Sequence, residues 1–206
     1  MPHPVMSDVK AILDPYHPRI RNVVELAWSE FRKVAELRVL NGIAPVLYSR
    51  TISNDVFDAI ARYAIKEFAN DSSVHVKIET QTIKLFFKGG VFARFKRGDD
   101  NRLGQSIPTQ AAMAFEDADG QLPGFPPETA KVEFIWLSND LSTRLDHVLV
   151  VARHGNSLLW DYEIEKAAGS AGGTIIPFPE PPPPDLSDDN LVKPKKPEVK
   201  KPEENE

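Results

Sequence analysis

The amino-acid order predicts an α+β fold, with two N-terminal helices packed on an antiparallel sheet of about six strands and a disordered Pro-rich C-terminal tail. Three observations carry this. Apolar residues recur at steps of three and four up to residue 68, then at steps of two after Asn70, and beyond Lys166 the composition turns to proline and charge. These are the periods of a helix face, of a half-buried strand and of a segment too polar to build a core.

The first helix is expected from Pro18 to about Leu40, with Ile20, Val23, Val24, Ala27, Phe31, Val34 and Ala35 as its buried stripe. Asn41-Gly42 and then Pro45 end it. The second is expected to start after Ser53 as N-cap, with Asp55 in its first turn and Val56, Phe57, Ile60, Tyr63, Ala64 and Phe68 as its stripe. Alternation then marks Val74–Ile78, Ile83–Phe87 and Val91–Phe95 as strands. Three more follow a long connection: Val132–Leu137, Asp146–Arg153 and Ser157–Glu163, the last two joined by a tight turn at Gly155-Asn156. Val148–Ala152 is apolar on both faces, as a doubly covered strand requires. The domain is expected over 1–165, large enough for one core. The tail is expected over 166–206, where six lysines face eight carboxylates and nine of the eighteen prolines lie. Within it, Ile175, Ile176 and Phe178 form an apolar cluster that is either a docking peptide or part of a solvated terminus.

The register of the first three strands follows from charge avoidance, because a one-residue slip would send charges into the core. A loop at Thr80-Gln81 sets Ile78 opposite Ile83, Val76 opposite Leu85 and Val74 opposite Phe87. A three-residue loop, Lys88-Gly89-Gly90, sets Phe87 opposite Val91 and Leu85 opposite Ala93. On the other face, Lys77, Lys84 and Arg94 then form one row and His75, Phe86 and Phe92 the next, flanked by Lys88 and Lys96. Like charges directly opposite one another are destabilising, so an exposed row calls for an anion or strong solvation. Cations among aromatics on a sheet also suit single-stranded nucleic acid. The alternatives are that the chain's own Glu116, Asp117 and Asp119 cover this face, or that it is a solvated face with two packed phenylalanines. The candidate binding residues are Lys77, Lys84, Phe86, Phe92, Arg94, Lys96, Arg97 and Arg102.

The connection from Arg97 to Ala130 is too long for a turn. It contains a short helix at Ala111–Phe115, with Pro108 in its first turn and Ser106 or Ile107 in the cap region. With Arg97 or Arg102 beside it, that helix start would bind an anion; alternatively Ser106 simply caps it.

Composition excludes several chemistries. The chain has no cysteine, so disulfides, thiolate zinc sites and cysteine nucleophiles are ruled out. A net charge of −5 gives the whole molecule no general attraction to nucleic acid. Neither a signal peptide nor a membrane span is expected, since the longest wholly apolar run is Val148–Ala152; the expected location is cytoplasmic. The five histidines are scattered and no Gly-rich phosphate loop occurs, so no cofactor or metal is expected. Asp146 and His147 are neighbours on a strand and point to opposite faces, which breaks a triad with Ser142. Glu79, Glu133 and Asp161 look too isolated for a metal-dependent hydrolase.

From about Thr51 to Ile164 the chain resembles a bacterial protein family from mobile elements and toxin–antitoxin-like two-gene modules. The stretches that carry this are Ser53-Asn54-Asp55, 92–96, Ile107-Pro108-Thr109-Gln110-Ala111-Ala112, Leu122-Pro123-Gly124-Phe125-Pro126-Pro127, 149–153 and Leu159-Trp160. The resemblance implies an accessory protein that neutralises or regulates a neighbour-encoded partner, and it brings no catalytic residues. The expectation is therefore a non-enzymatic binding or regulatory protein with a protein partner. A nucleic-acid-binding module is the alternative and a metal-dependent hydrolase the third reading.

Overall fold

The computed structural model describes residues 4–79, 82–106, 109–117 and 129–166. The described residues all fall within one compact unit, Met1–Ala168. The tail predicted over 166–206 lies, apart from Lys166, outside the described residues, as does the loop predicted at Thr80-Gln81.

Three helices precede the sheet rather than two: α1 (Met6–Leu13), α2 (His17–Leu40) and α3 (Ser49–Phe68), with a 3-10 turn, Asp14–Tyr16, between the first two. Helix α1 escapes a periodicity argument because its buried stripe is only Val9 and Leu13. Pro15 and Pro18 stand in the first turns of the elements they open, where a missing N–H costs no hydrogen bond. Helix α3 starts a turn earlier than expected. Ser53 is therefore not its cap; its hydroxyl donates to the Ser49 carbonyl (2.9 Å), and Asp55 falls beyond the first turn.

Six strands follow in sequence order across one sheet: β1 (Val74–Glu79), β2 (Thr82–Phe87), β3 (Val91–Arg97), β4 (Ala130–Ser138), β5 (Leu145–His154) and β6 (Ser157–Glu163). The register of β1–β3 is the predicted one, with Val76 opposite Leu85, Lys77 opposite Lys84, Lys84 opposite Arg94 and Phe86 opposite Phe92. Gly89 and Gly90 take the positive φ (114° and 95°) that the β2–β3 loop needs. The sheet is not wholly antiparallel. β3 and β4 run parallel, Val91 beside Ala130 and Arg94 beside Glu133. The connection that starts after Arg97 has crossed back to the end where β3 began, which only a long crossover can do.

One sheet face carries the core. Val74, Ile83, Leu85, Phe87, Val91, Ala93, Phe95, Val132, Phe134, Trp136, Val148, Val150 and Ala152 pack beneath Ile20, Val23, Val24, Ala27, Trp28, Phe31, Val56, Ile60, Ala64 and Phe68 of the helices. Leu149 and Val151 are buried on the opposite face, so β5 is doubly covered as predicted. The N-terminus is tied to β6: the Trp160 indole donates to the Pro4 carbonyl (2.6 Å), and the Arg21 guanidinium to the Ile164 carbonyl.

A polar corner joins the helices to the sheet. Asp71, between α3 and β1, accepts from the Ser73 hydroxyl, from the Ser73 amide (2.9 Å) and from Arg19. Ser73 and then Arg19 hold its carboxyl down from 3.8 to about 2. A depressed carboxylate stabilises the fold above its unfolded value and loses that contribution as pH falls through the folded one. Urea midpoints measured between pH 5 and 2 should thus fall less steeply below about pH 4 in Asp71→Asn than in the parent. Parallel acid limbs would show that the corner contributes nothing.

Candidate functional site

The second face of the sheet is where the predicted binding residues were expected to meet. After β3 the chain folds back over it. Gly98 and Gly104 form an isolated bridge, and Arg102, at φ 62°, makes the turn between them. A Cβ on Gly98 would stand 2.5 Å from Ile135 and Leu137, so this loop rests directly on β4. Leu103 completes a small apolar cluster with Ile135, Leu149 and Val151. Helix α4 (Gln110–Glu116) follows. Its cap is Thr109, whose Oγ1 accepts from the Ala112 amide (3.1 Å), and not Ser106 as expected. Ile107, the other predicted cap residue, and Pro108, expected in the first turn, lie outside the described residues. The buried Lys131 ammonium donates to the Ala114 carbonyl (3.0 Å) and to that of Asp117, at the end of α4 where a cation suits the helix dipole.

Between α4 and the sheet lies a buried ionic cluster. Glu133 is 0% exposed and Arg94 5%. Arg94 donates from Nε (2.8 Å) and Nη2 (2.5 Å) to Glu133 Oε1, and from Nη2 to Glu116 (2.9 Å). Arg153 stands 3.6 Å from Glu133 Oε2 and 3.5 Å from Glu116, and donates to the Gly104 carbonyl (3.0 Å). The Gly104 amide donates to Glu133 Oε2 (3.1 Å). The side chain of Ala at 104 would place its Cβ 2.4 Å from that oxygen, so only glycine lets the backbone come this close. Two arginines and two glutamates thus balance one another.

The predicted row is compensated in the same way. Glu79 accepts an ion pair from Lys84 (2.6 Å) and from Lys77 (2.9 Å), and Lys84 first and Lys77 second hold its carboxyl below the usual range. The expectation that Lys77, Lys84 and Arg94 stand exposed as one cationic row is corrected here. Arg94 is buried against Glu133 and Glu116, Lys84 is mostly covered, and Lys77 is half exposed. Phe92 is buried against Phe115, ring centroids 5.9 Å apart, while Phe86 is half-buried. Lys96 is half-buried beside them; burial, then the Arg94 charge, pushes its amine below the usual range. The remaining two candidates lie apart. Arg97 donates to the Ser49 carbonyl (3.1 Å) and the Ser53 hydroxyl (3.2 Å), clamping the first turn of α3, and Arg102 donates to Asp161 (2.7 Å). Glu116 thus plays the covering role weighed in the sequence; Asp119 lies outside the described residues.

Glu133 is not isolated, as the sequence suggested, but central, and its place in the cluster was missed together with Arg153 and Gly104. The alternation of β4, with Lys131, Glu133 and Ile135 sharing a face, was the available signal. Asp146 does bind elsewhere, to Arg144 (2.6 Å), while His147 meets Glu163 (3.0 Å). Among the described residues no group of three or more His, Asp or Glu side chains is placed to hold a metal ion. No helix among them is long and apolar enough to cross a membrane.

A second feature lies at the far end of the helices. The α2 stripe outruns the sheet: beyond Phe31 no α2 residue is buried, and Val34, expected in the core, is 45% exposed. Leu37, Val39, Leu40 (80%), Ile43, Leu47 (82%) and Tyr48 follow, all more than half exposed. An α2–α3 hairpin tip thus presents a run of large apolar side chains to solvent. Sequence periodicity names the face of a helix but not where the opposing layer stops. The apolar residues after the Asn41-Gly42 stop were the readable hint.

Compared with known proteins, the chain matches no family model, no curated protein and no solved structure.

Proposed function

We propose that this is a binding protein of the regulatory class, which acts in the cytoplasm by engaging a protein partner, in the manner of the antitoxin-like member of a two-gene pair. The observation that carries this is the exposed apolar run from Val34 to Tyr48. Contiguous apolar patches beyond a few hundred Å² are uncommon on monomers and mark interaction sites. The second sheet face offers less to an anionic partner, because Glu79, Glu116 and Glu133 already engage Lys77, Lys84, Arg94 and Arg153.

The experiment is affinity capture from the native host, with the parent and a Leu40→Asp/Leu47→Asp variant side by side. Both side chains are solvent-facing, so the thermal midpoint should hold, surface changes of this kind costing within about 0.5 kcal/mol. The parent should retain one stoichiometric protein and the variant should lose it, with an affinity loss of more than about 2 kcal/mol if these are central anchors. Equal retention by both, or recovery of nucleic acid in place of protein, would refute the reading.

A further inference from the structure

We propose that the α2–α3 tip is a docking site for an acidic amphipathic helix of another protein. The inference rests on the protein-binding reading above and adds the chemistry of the partner. Three observations carry it. First, Val34, Leu37 and Leu40 recur at steps of three along the end of α2, and Ile43, Leu47 and Tyr48 extend the apolar surface past it. A partner helix with apolar residues at i, i+3, i+4 and i+7 is the element such a stripe accepts.

Second, the rim is cationic. Among residues 32–50 the charged ones are Arg32, Lys33, Arg38 and Arg50 against Glu36 alone. Arg32 is 3.7 Å from Glu36, which neutralises that pair. Lys33, Arg38 and Arg50 form no ion pair among the described residues. Many cations elsewhere are paired: Arg19 with Glu67 and Asp71, Arg62 with Glu30 and Asp58, Lys84 with Glu79, Arg94 with Glu133. A rim in which four cations stand against one carboxylate, around an apolar stripe on a chain whose net charge is −5, is a local reversal of sign. Complementary charge steers and selects partners.

Third, that rim argues against the competing occupants. A second copy would bring two sets of Lys33, Arg38 and Arg50 together, and a basic helix would meet the same repulsion. An anionic bilayer would attract the rim but repel a chain with an excess of five negative charges.

The test uses the full chain and a fluorescent, capped helical peptide of about 18 residues, with leucines at the i, i+3, i+4, i+7 spacing and glutamates elsewhere, beside a matched peptide with lysines for the glutamates. Anisotropy titration should show the acidic peptide binding at least about tenfold tighter than the basic one, the gap narrowing as salt rises from about 50 to 300 mM. Lys33→Glu/Arg38→Glu/Arg50→Glu should erase or invert the preference, and Leu40→Asp should abolish binding of either peptide, each variant keeping the parent's circular dichroism. Equal binding of both peptides would overturn the proposal. So would tighter binding to anionic phospholipid vesicles than to the peptide, self-association that Leu40→Asp removes, or displacement of the acidic peptide by a peptide of residues 174–192. If the peptides fail to discriminate while Leu40→Asp/Leu47→Asp still strips a protein captured from the host, the partner chemistry is wrong and the binding function stands. If no host protein depends on those leucines, the function itself fails.

Discussion

Replacing Glu133 by Ala is expected to cost about 3–5 kcal/mol, the range for breaking a buried ion pair by removing one partner. The carboxylate is fully buried and faces two arginines, with Arg94 at 2.5 Å and Arg153 at 3.6 Å. Its removal leaves both guanidiniums buried against Glu116 alone, and strands the Gly104 amide that donates to Glu133. At roughly 2–4 °C per kcal/mol for a domain of this size, the thermal midpoint should drop by about 6–20 °C. An Arg94→Met/Glu133→Leu double variant should lose less than Glu133→Ala does, because one cation and one anion leave together and Arg153 keeps Glu116 at 3.5 Å. Urea denaturation of the three proteins decides it. A loss under about 1 kcal/mol in Glu133→Ala would mean that the cluster relaxes into solvent and does not hold the connection on the sheet.

The cluster also shows what sequence can and cannot deliver. The register of β1–β3 was legible because two short loops leave few pairings that keep charges out of the core, and each residue of Lys77, Lys84 and Arg94 was placed in its true row. What the row meant was not legible. Its compensating carboxylates come from Glu79 beside the hairpin tip, from Glu133 on β4 and from Glu116 on α4. The last two sit on a strand and a helix reached only after Arg97, and a long connection erases both register and strand direction. The parallel pairing of β3 with β4 was missed for the same reason. At the other end, the stripe from Ile20 to Phe31 was read correctly, but its continuation through Val34 became an exposed tip. Burial there depends on the length of the sheet beneath the helix, which periodicity along α2 does not encode.

Phe87→Ala should cost about 3–5 kcal/mol, the range for emptying an aromatic site in a core. The ring is fully buried and sits where three elements meet, with centroids 4.9 Å from Tyr16, 6.1 Å from Phe68 and 6.0 Å from Phe134. Tyr16 belongs to the 3-10 turn, Phe68 ends α3 and Phe134 lies on β4, so a cavity here unseats both helix and sheet contacts. Collapse into it is resisted, because the Tyr16 hydroxyl is held by Ser73 Oγ (2.8 Å), which is itself bound to Asp71. The comparison that gives this force is Ile78→Ala. Ile78 lies on the same face of the same hairpin, yet it is 66% exposed, beyond the cover of the helices, and should cost no more than about 0.5 kcal/mol. Chemical denaturation of the two variants reads the contrast directly, as a large fall in midpoint for one and nearly none for the other. Similar losses in both would mean that the helical layer extends over the β1–β2 tip, and that the sheet end is as well covered as its centre.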